Sequence, residues 1–259
     1  MIGAIVGDIL GSAYEWSPVK TVDFRLFAPG SRFTDDTVMT VATANAIMGA
    51  KPYAATYREW FKRHPGAGYG RNFAAWAADP DGQAYGSFGN GSAMRVSPVG
   101  WAYATLDEVQ KEAALSAAVT HNHPEGVRGA LAVSSSVFLA RKGASKEEIR
   151  AYVENSFTGY DLSRELDDIR AGYSFDVTCL GSVPEALIAF LESVDYESAV
   201  RLAVSLGGDA DTQACIAGAV AEAFYGGVPK HLAENALGLL TTDLLLVCKD
   251  FCGEFLKVP

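Results

Sequence analysis

An all-α fold is predicted by three features of the sequence: a dominant helical apolar period, a scarcity of alternating strand patterns, and runs of small residues that let helices pack closely. Residues 36–50 place Val38, Val41, Ala42 and Ala46 on one stripe. The best alternating stretch, residues 21–27, is a single segment and cannot form a sheet alone.

After 36–50 the same period predicts helices over 106–119, 123–142, 145–155, 184–193 and 196–206. The C-terminal third adds 212–225, 229–236 and 241–256. Start signals accompany several of these. Asp107 and Ser145 precede Glu-rich first turns, and Ser182-Val183-Pro184-Glu185 sets a proline just inside a helix start. Small residues crowd the run from Ala214 to Ala221. Loops rich in Gly and Pro cover 16–33, 64–71, 79–92 and 206–209 without dividing the chain into self-sufficient halves, so one domain over 1–259 is expected.

The 259 residues are 49% apolar and 20% charged, far from the composition of disordered chains. A net charge of −10 argues against a broad grip on nucleic-acid phosphates, which depends on Lys and Arg displacing counterions. A nucleic-acid partner would need a local pocket. The N-terminus lacks a basic region, and Asp8 interrupts its apolar stretch, so a mature chain starting at Met1 is expected. No apolar run approaches the ~18 residues of a membrane span. Four cysteines are too few for a disulfide framework and favour a reducing cytoplasm. Cys248 and Cys252 lie one turn apart with no histidine nearby, and are read as small buried hydrophobes rather than zinc ligands.

Two motifs set oxygen donors at helix beginnings. In Phe33-Thr34-Asp35-Asp36-Thr37, capping by Thr34 or Asp35 and complementation of the helix dipole form one complete reading. In Gly207-Gly208-Asp209-Ala210-Asp211-Thr212, capping accounts for one aspartate and leaves the other donors without a role. Taken together, the motifs repeat one ligand set of Thr34, Asp35, Asp36 and Asp209, Asp211, Thr212. Such donors suit Mg2+ or Mn2+, whereas zinc or copper would call for His or Cys. Two facing half-sites would hold two ions about 3.5–4 Å apart. Glu15 is a candidate fifth carboxylate or an ordinary surface acid. The segment Gly86-Ser87-Phe88-Gly89-Asn90-Gly91-Ser92, before a helix expected to run through Trp101, is a turn or a backbone cradle for an anion. His121, in Thr120-His121-Asn122-His123-Pro124, is a capping or core residue or a ligand contact.

These motifs, together with Gly3-Ala4-Ile5-Val6-Gly7-Asp8-Ile9-Leu10-Gly11 and Gly89-Asn90-Gly91-Ser92-Ala93-Met94-Arg95, occur in the order and spacing of the ADP-ribosylglycohydrolase family, which the sequence resembles over nearly its whole length. The resemblance implies a compact orthogonal helical bundle, a binuclear Mg2+ or Mn2+ centre, and hydrolysis of the bond between ADP-ribose and its acceptor. It matches Thr34, Asp35, Asp36, Asp209, Asp211 and Thr212 to metal ligands. It turns Ser87, Gly89, Asn90, Gly91 and Ser92 into a diphosphate cradle, sets Phe88 beside the nucleoside, and gives His121 a hydrogen bond to phosphate or ribose.

Cleavage of a ribosyl bond builds an oxocarbenium-like carbon, and a carboxylate must take a proton from water; Asp36 or Glu15 fills that role. The expected enzyme reverses mono-ADP-ribosylation of a protein, releases ADP-ribose and acts as a monomer. The alternatives are a hydrolase of small ADP-ribose conjugates or ADP-ribosylated nucleic acid, and a catalytically silent ADP-ribose binder. The loop that follows Glu15 is expected either to act as a flap over the site or to be anchored by Trp16, Phe24 and Phe27.

Overall fold

Glycines at positions 3, 7 and 11 recur every fourth residue, which puts them on one face of a helix. In the computed structural model, which describes residues 1–256, that face is the centre of the molecule; residues 257–259 of the expected domain lie outside the described residues. Helix α1 (Ile2–Gly11) runs against α13 (Ala210–Tyr225) so closely that a Cβ on Gly3, Gly7 or Gly11 would lie 2.3, 2.1 or 2.3 Å from the carbonyl oxygens of Gly218, Ala214 and Ala210. The two helices are thus antiparallel. Their contact brings the end of α1 to the beginning of α13, where the second acidic motif lies.

Between them the chain forms α2 (Asp35–Met48), α3 (Tyr53–Arg63), α4 (Arg71–Ala78), α5 (Gly91–Met94), α6 (Ser97–Ala102), α7 (Leu106–Ala118), α8 (Pro124–Arg141), α9 (Lys146–Ser156), α10 (Leu166–Gly172), α11 (Cys179–Glu192) and α12 (Tyr196–Val204). Helices α14 (Lys230–Leu237) and α15 (Thr242–Phe255) follow. The all-α class is as expected: among the described residues there is no strand, only an isolated antiparallel bridge between Gly89 and Thr178. Helix α13 is packed by α1, α8, α11 and α12, and α2 is packed by α1, α3, α6 and α15. No helix is long and apolar enough to cross a membrane among the described residues.

Most predicted helices stand within two residues of their expected ends, because capping chemistry marks them. Ser145 and Glu148 close a capping box on α9. On α7 the box is Thr105 with Glu108, so the start signal is Thr105 and not Asp107. Helix α11 begins five residues before the predicted Pro184, which lies inside it. The Thr178 hydroxyl accepts from Gly181 N at 3.0 Å and starts the helix earlier than the proline suggested. The helix expected to run through Trp101 is split into α5 and α6 around Arg95 and Val96. Helices α3, α4 and α10, which bury three, three and one residues, leave no stripe in the sequence long enough to predict them.

Candidate active site

The two acidic motifs meet because α1 holds both. Asp8, fully buried in an otherwise apolar helix, takes four hydrogen bonds from the start of α2. Thr34 N and Thr37 N donate at 3.0 Å each, Thr34 Oγ1 donates at 2.7 Å, and the Thr37 hydroxyl also donates to it. Thr34 caps α2 by accepting from Asp36 N. Gly11 abuts Ala210 and Asp211, which sets the acids of α13 against this corner.

The result is two carboxylate triads with a shared member. One oxygen each from Asp8, Asp36 and Asp211 lie within 4.8 Å of one another, as do oxygens from Glu15, Asp209 and Asp211. Thr212 Oγ1 donates to Asp36 Oδ2 at 3.3 Å, and Asn90 Nδ2 donates to Asp209 Oδ2 at 2.7 Å. Asp209 stands at the N-cap of α13 without a side-chain capping bond, which leaves its carboxylate to the cluster. Asp35 lines the same cleft but belongs to neither triad.

Burial pushes these acids up, and neighbouring carboxylates add to it at Glu15, Asp35, Asp36 and Asp211. Asp8 rises to about 6 through burial, against the pull of its hydrogen bonds. Glu15 rises to about 7 through burial and the charge of Asp209, and Asp35 to about 8 through burial and the charge of Asp8. Asp36 and Asp211 lie well above the ordinary carboxylate range for the same reasons. Asp36 Oδ1 is buried with no hydrogen-bond partner, a costly state for a carboxylate oxygen that cations nearby would relieve. An all-oxygen donor set with an orphaned carboxylate oxygen fits hard divalent cations.

The cluster forms the floor of a cleft of about 610 Å3. One wall carries Ser87, Gly89, Asn90, Gly91 and His121; the other carries Tyr69 to Phe73. Phe88 is 51% exposed, sits edge-on to His123 and is not on the cleft wall. Ser92 is buried, donates to Gly126 O at 2.6 Å and is likewise off the wall. The glycine loop does not offer an open row of amides. Gly86 N is bound to Asn122 Oδ1, Ser87 N to Thr120 O, Gly89 N to Ser87 Oγ and Asn90 N to Val177 O. Its glycines instead clear space for His121, since a Cβ on Gly91 would lie 3.2 Å from His121 Nε2.

Glu15 and Trp16 stand at the mouth, where Trp16, 76% exposed, stacks on Phe175 at 5.3 Å. Trp16 therefore does not anchor its loop in the core, whereas Phe24 packs edge-on to Tyr14 and Phe27 against the core. Polar ties add to that anchoring. Lys20 Nζ donates to the carbonyls of Arg170, Tyr173 and Leu206, and Arg201 Nη1 to those of Val22 and Phe24.

Asp8 lies outside the site residues expected from the sequence. Its signal was present: a lone acid in ten residues of apolar helix has no reason to be there unless something polar meets it.

A family model for ADP-ribosylglycohydrolases matches residues 1–257. The chain is 28% identical to human ADP-ribosylhydrolase ARH3, over 95% of this chain and 90% of that protein. It is 28% identical to the ADP-ribosylarginine hydrolase Tri1 of Pseudomonas putida, over 91% of this chain and 72% of that protein. A solved ADP-ribosylglycohydrolase-related protein superposes with a TM-score of 0.70 at 27% identity, covering 98% of this chain and 96% of its own. On the match of sequence, fold and acidic floor together, the chain belongs to the ADP-ribosylglycohydrolase family of enzymes.

Proposed function

We propose that the protein is a divalent-metal-dependent ADP-ribosyl-acceptor hydrolase that reverses mono-ADP-ribosylation of a protein. The observation that carries this reading is the pair of carboxylate triads sharing Asp211 on the floor of a cleft large enough for a nucleotide sugar. Thr34, Asp36, Asp209, Asp211 and Thr212, with Asp35 on the same cleft, would hold two Mg2+ or Mn2+ ions. When bound, such ions polarise the ribose hydroxyls and make nearby water more acidic.

The chain's own residues then divide the work. Asp36 is buried and engaged by the Thr212 hydroxyl, which suits a ligand. Glu15 is half-buried at the mouth, within reach of solvent, which suits the base. The attacking water forms its bond to the ribose carbon as the bond to the acceptor breaks. Its proton passes to Glu15 and from there to the departing nitrogen or oxygen of the acceptor. His121, in the space that Gly91 leaves for its ring, holds the diphosphate.

The test is release of free ADP-ribose from arginine-, serine- and nucleic-acid-linked substrates, with Mg2+ or Mn2+ and with a chelator. Release from a modified protein that stops on chelation and returns with either ion is expected. Full turnover in metal-free buffer would overturn the metal reading, and release from small or nucleic-acid conjugates alone would overturn the protein substrate.

A further inference from the structure

Arg95 is an unusual residue for this site. It is 1% exposed, lines the cleft whose floor is carboxylates, and makes no ion pair among the described residues. Its guanidinium lies over the Tyr57 ring at 4.5 Å, and its Nε has no partner. Its Nη2 donates to Ser116 O at 2.9 Å, in the last turn of α7, where the helix dipole favours a cation. The same Nη2 donates to Thr120 Oγ1 at 3.0 Å. Thr120 is fully buried, and its Oγ1 lies 2.7 Å from His121 Nδ1.

Proton counting fixes the direction of this chain. A guanidinium can only donate, so Thr120 Oγ1 spends a lone pair on Arg95. The hydroxyl has one proton left to place, and His121 Nδ1 is its only other partner among the described residues. If Nδ1 carried a proton, the hydroxyl proton would be buried without an acceptor, at the cost of an unsatisfied donor. Nδ1 must therefore accept, and the ring's proton sits on Nε2. Burial, and then the charge of Arg95, hold the His121 pKa well below its ordinary value, so the ring is neutral and its tautomer matters. Nε2 makes no hydrogen bond to the described residues and faces the glycine loop on the cleft wall, 3.2 Å from where a Gly91 Cβ would stand.

We propose that Arg95 and Thr120 are positioning residues that lock His121 in the Nε2–H tautomer, so that its ring offers a fixed hydrogen-bond donor to the diphosphate of ADP-ribose. The inference rests on the cleft being an ADP-ribose site. The polarity is the point: the other tautomer would present a lone pair to the phosphate oxygens and repel them.

Nitrogen NMR of the 15N-histidine-labelled full chain at neutral pH, without ligand, reads the tautomer directly, and titration with ADP-ribose reads its consequence. The His121 signals, assigned by their loss in His121→Gln, should be those of an Nε2–H ring. In Thr120→Val, which keeps the shape and removes the hydroxyl, the ring should lose that single tautomer. Affinity for ADP-ribose should fall on the order of tenfold, the scale of one hydrogen bond to a charged group. Thr120→Ser should restore both. An Nδ1–H ring in the unmodified protein would overturn the proposal, whether or not Thr120→Val folds. So would a Thr120→Val protein that loses the tautomer but binds ADP-ribose as before. Failure of the ADP-ribose reading itself would look different: an Nε2–H ring in a protein that binds no ADP-ribose.

Discussion

At the scale of single residues, the acids of the floor separate into two kinds that substitution should distinguish. Asp36 and Asp209 are crowded by like charge, and neither carboxylate is needed to start its helix. Asp36→Asn or Asp209→Asn should lower turnover on the order of a thousandfold, several kcal/mol of transition-state stabilisation, while the metal-free Tm stays level or rises. Asp8 differs. It holds two backbone N–H groups and two hydroxyls of the Thr34–Thr37 turn, so Asp8→Ala should cost about 1–3 kcal/mol for each donor left buried and unpaired. A lowered Tm in Asp36→Asn with unchanged turnover would leave that residue as a complement to the dipole of α2. Glycine matters here only by absence of bulk. In Gly91→Val the side chain would collide with the His121 ring, and a thermal shift on adding ADP-ribose should shrink relative to the unmodified protein.

At the scale of elements, the α1–α13 contact sets the spacing of the whole floor. Gly7→Ala adds one methyl where a Cβ would meet Ala214 O at 2.1 Å, and both partners are backbone, so the helices must separate. An isolated helix would gain about 1 kcal/mol from that change; the protein should instead lose stability and bind Mn2+ more weakly, as a Tm scan and a metal titration would show. The segment between Glu15 and Arg32 tells against a large flap. Lys20 and Arg201 pin five of the carbonyls around it, so hydrogen exchange over 19–25 should change little on adding ADP-ribose. Helix ends with Ser or Thr caps were readable in advance, as at Ser145, because a cap is a local hydrogen bond between near neighbours. Short helices such as α3 were not, since Thr56, Tyr57 and Trp60 are buried by distant parts of the chain and form too brief a stripe to stand out.

At the scale of the whole molecule, burial of so much negative charge makes stability depend on pH in a direction opposite to that of most surface carboxylates. For Asp8, Glu15 and Asp35 the folded pKa lies near 6, 7 and 8, above the ordinary values of 3.8, 4.5 and 3.8. The folded protein therefore binds protons more readily than the unfolded chain, and the stability from that uptake is present in full below about pH 4 and lost as pH rises through 6 to 8. In chelator, the Tm of the unmodified protein should fall more steeply from pH 5 to 8 than that of Asp35→Asn, and Mg2+ at pH 8 should raise it. Equal slopes in the two proteins would show that the cluster does not govern this dependence.

The sequence by itself determined the helical class, the ends of the capped helices and the two oxygen-rich motifs, because each is written in residues within a few positions of one another. Tertiary structure alone decided that Asp8 joins the floor, that Asp35 stands outside both triads, that Phe88 and Ser92 leave the cleft wall, and that Arg95 reaches His121 through Thr120. Those facts depend on which faces meet across separations such as the 26 positions between Asp8 and Thr34 or the 119 between Asn90 and Asp209. A local pattern can say that a residue wants a partner. Only the packing of backbone against backbone, as where Gly7 admits Ala214, says which partner arrives.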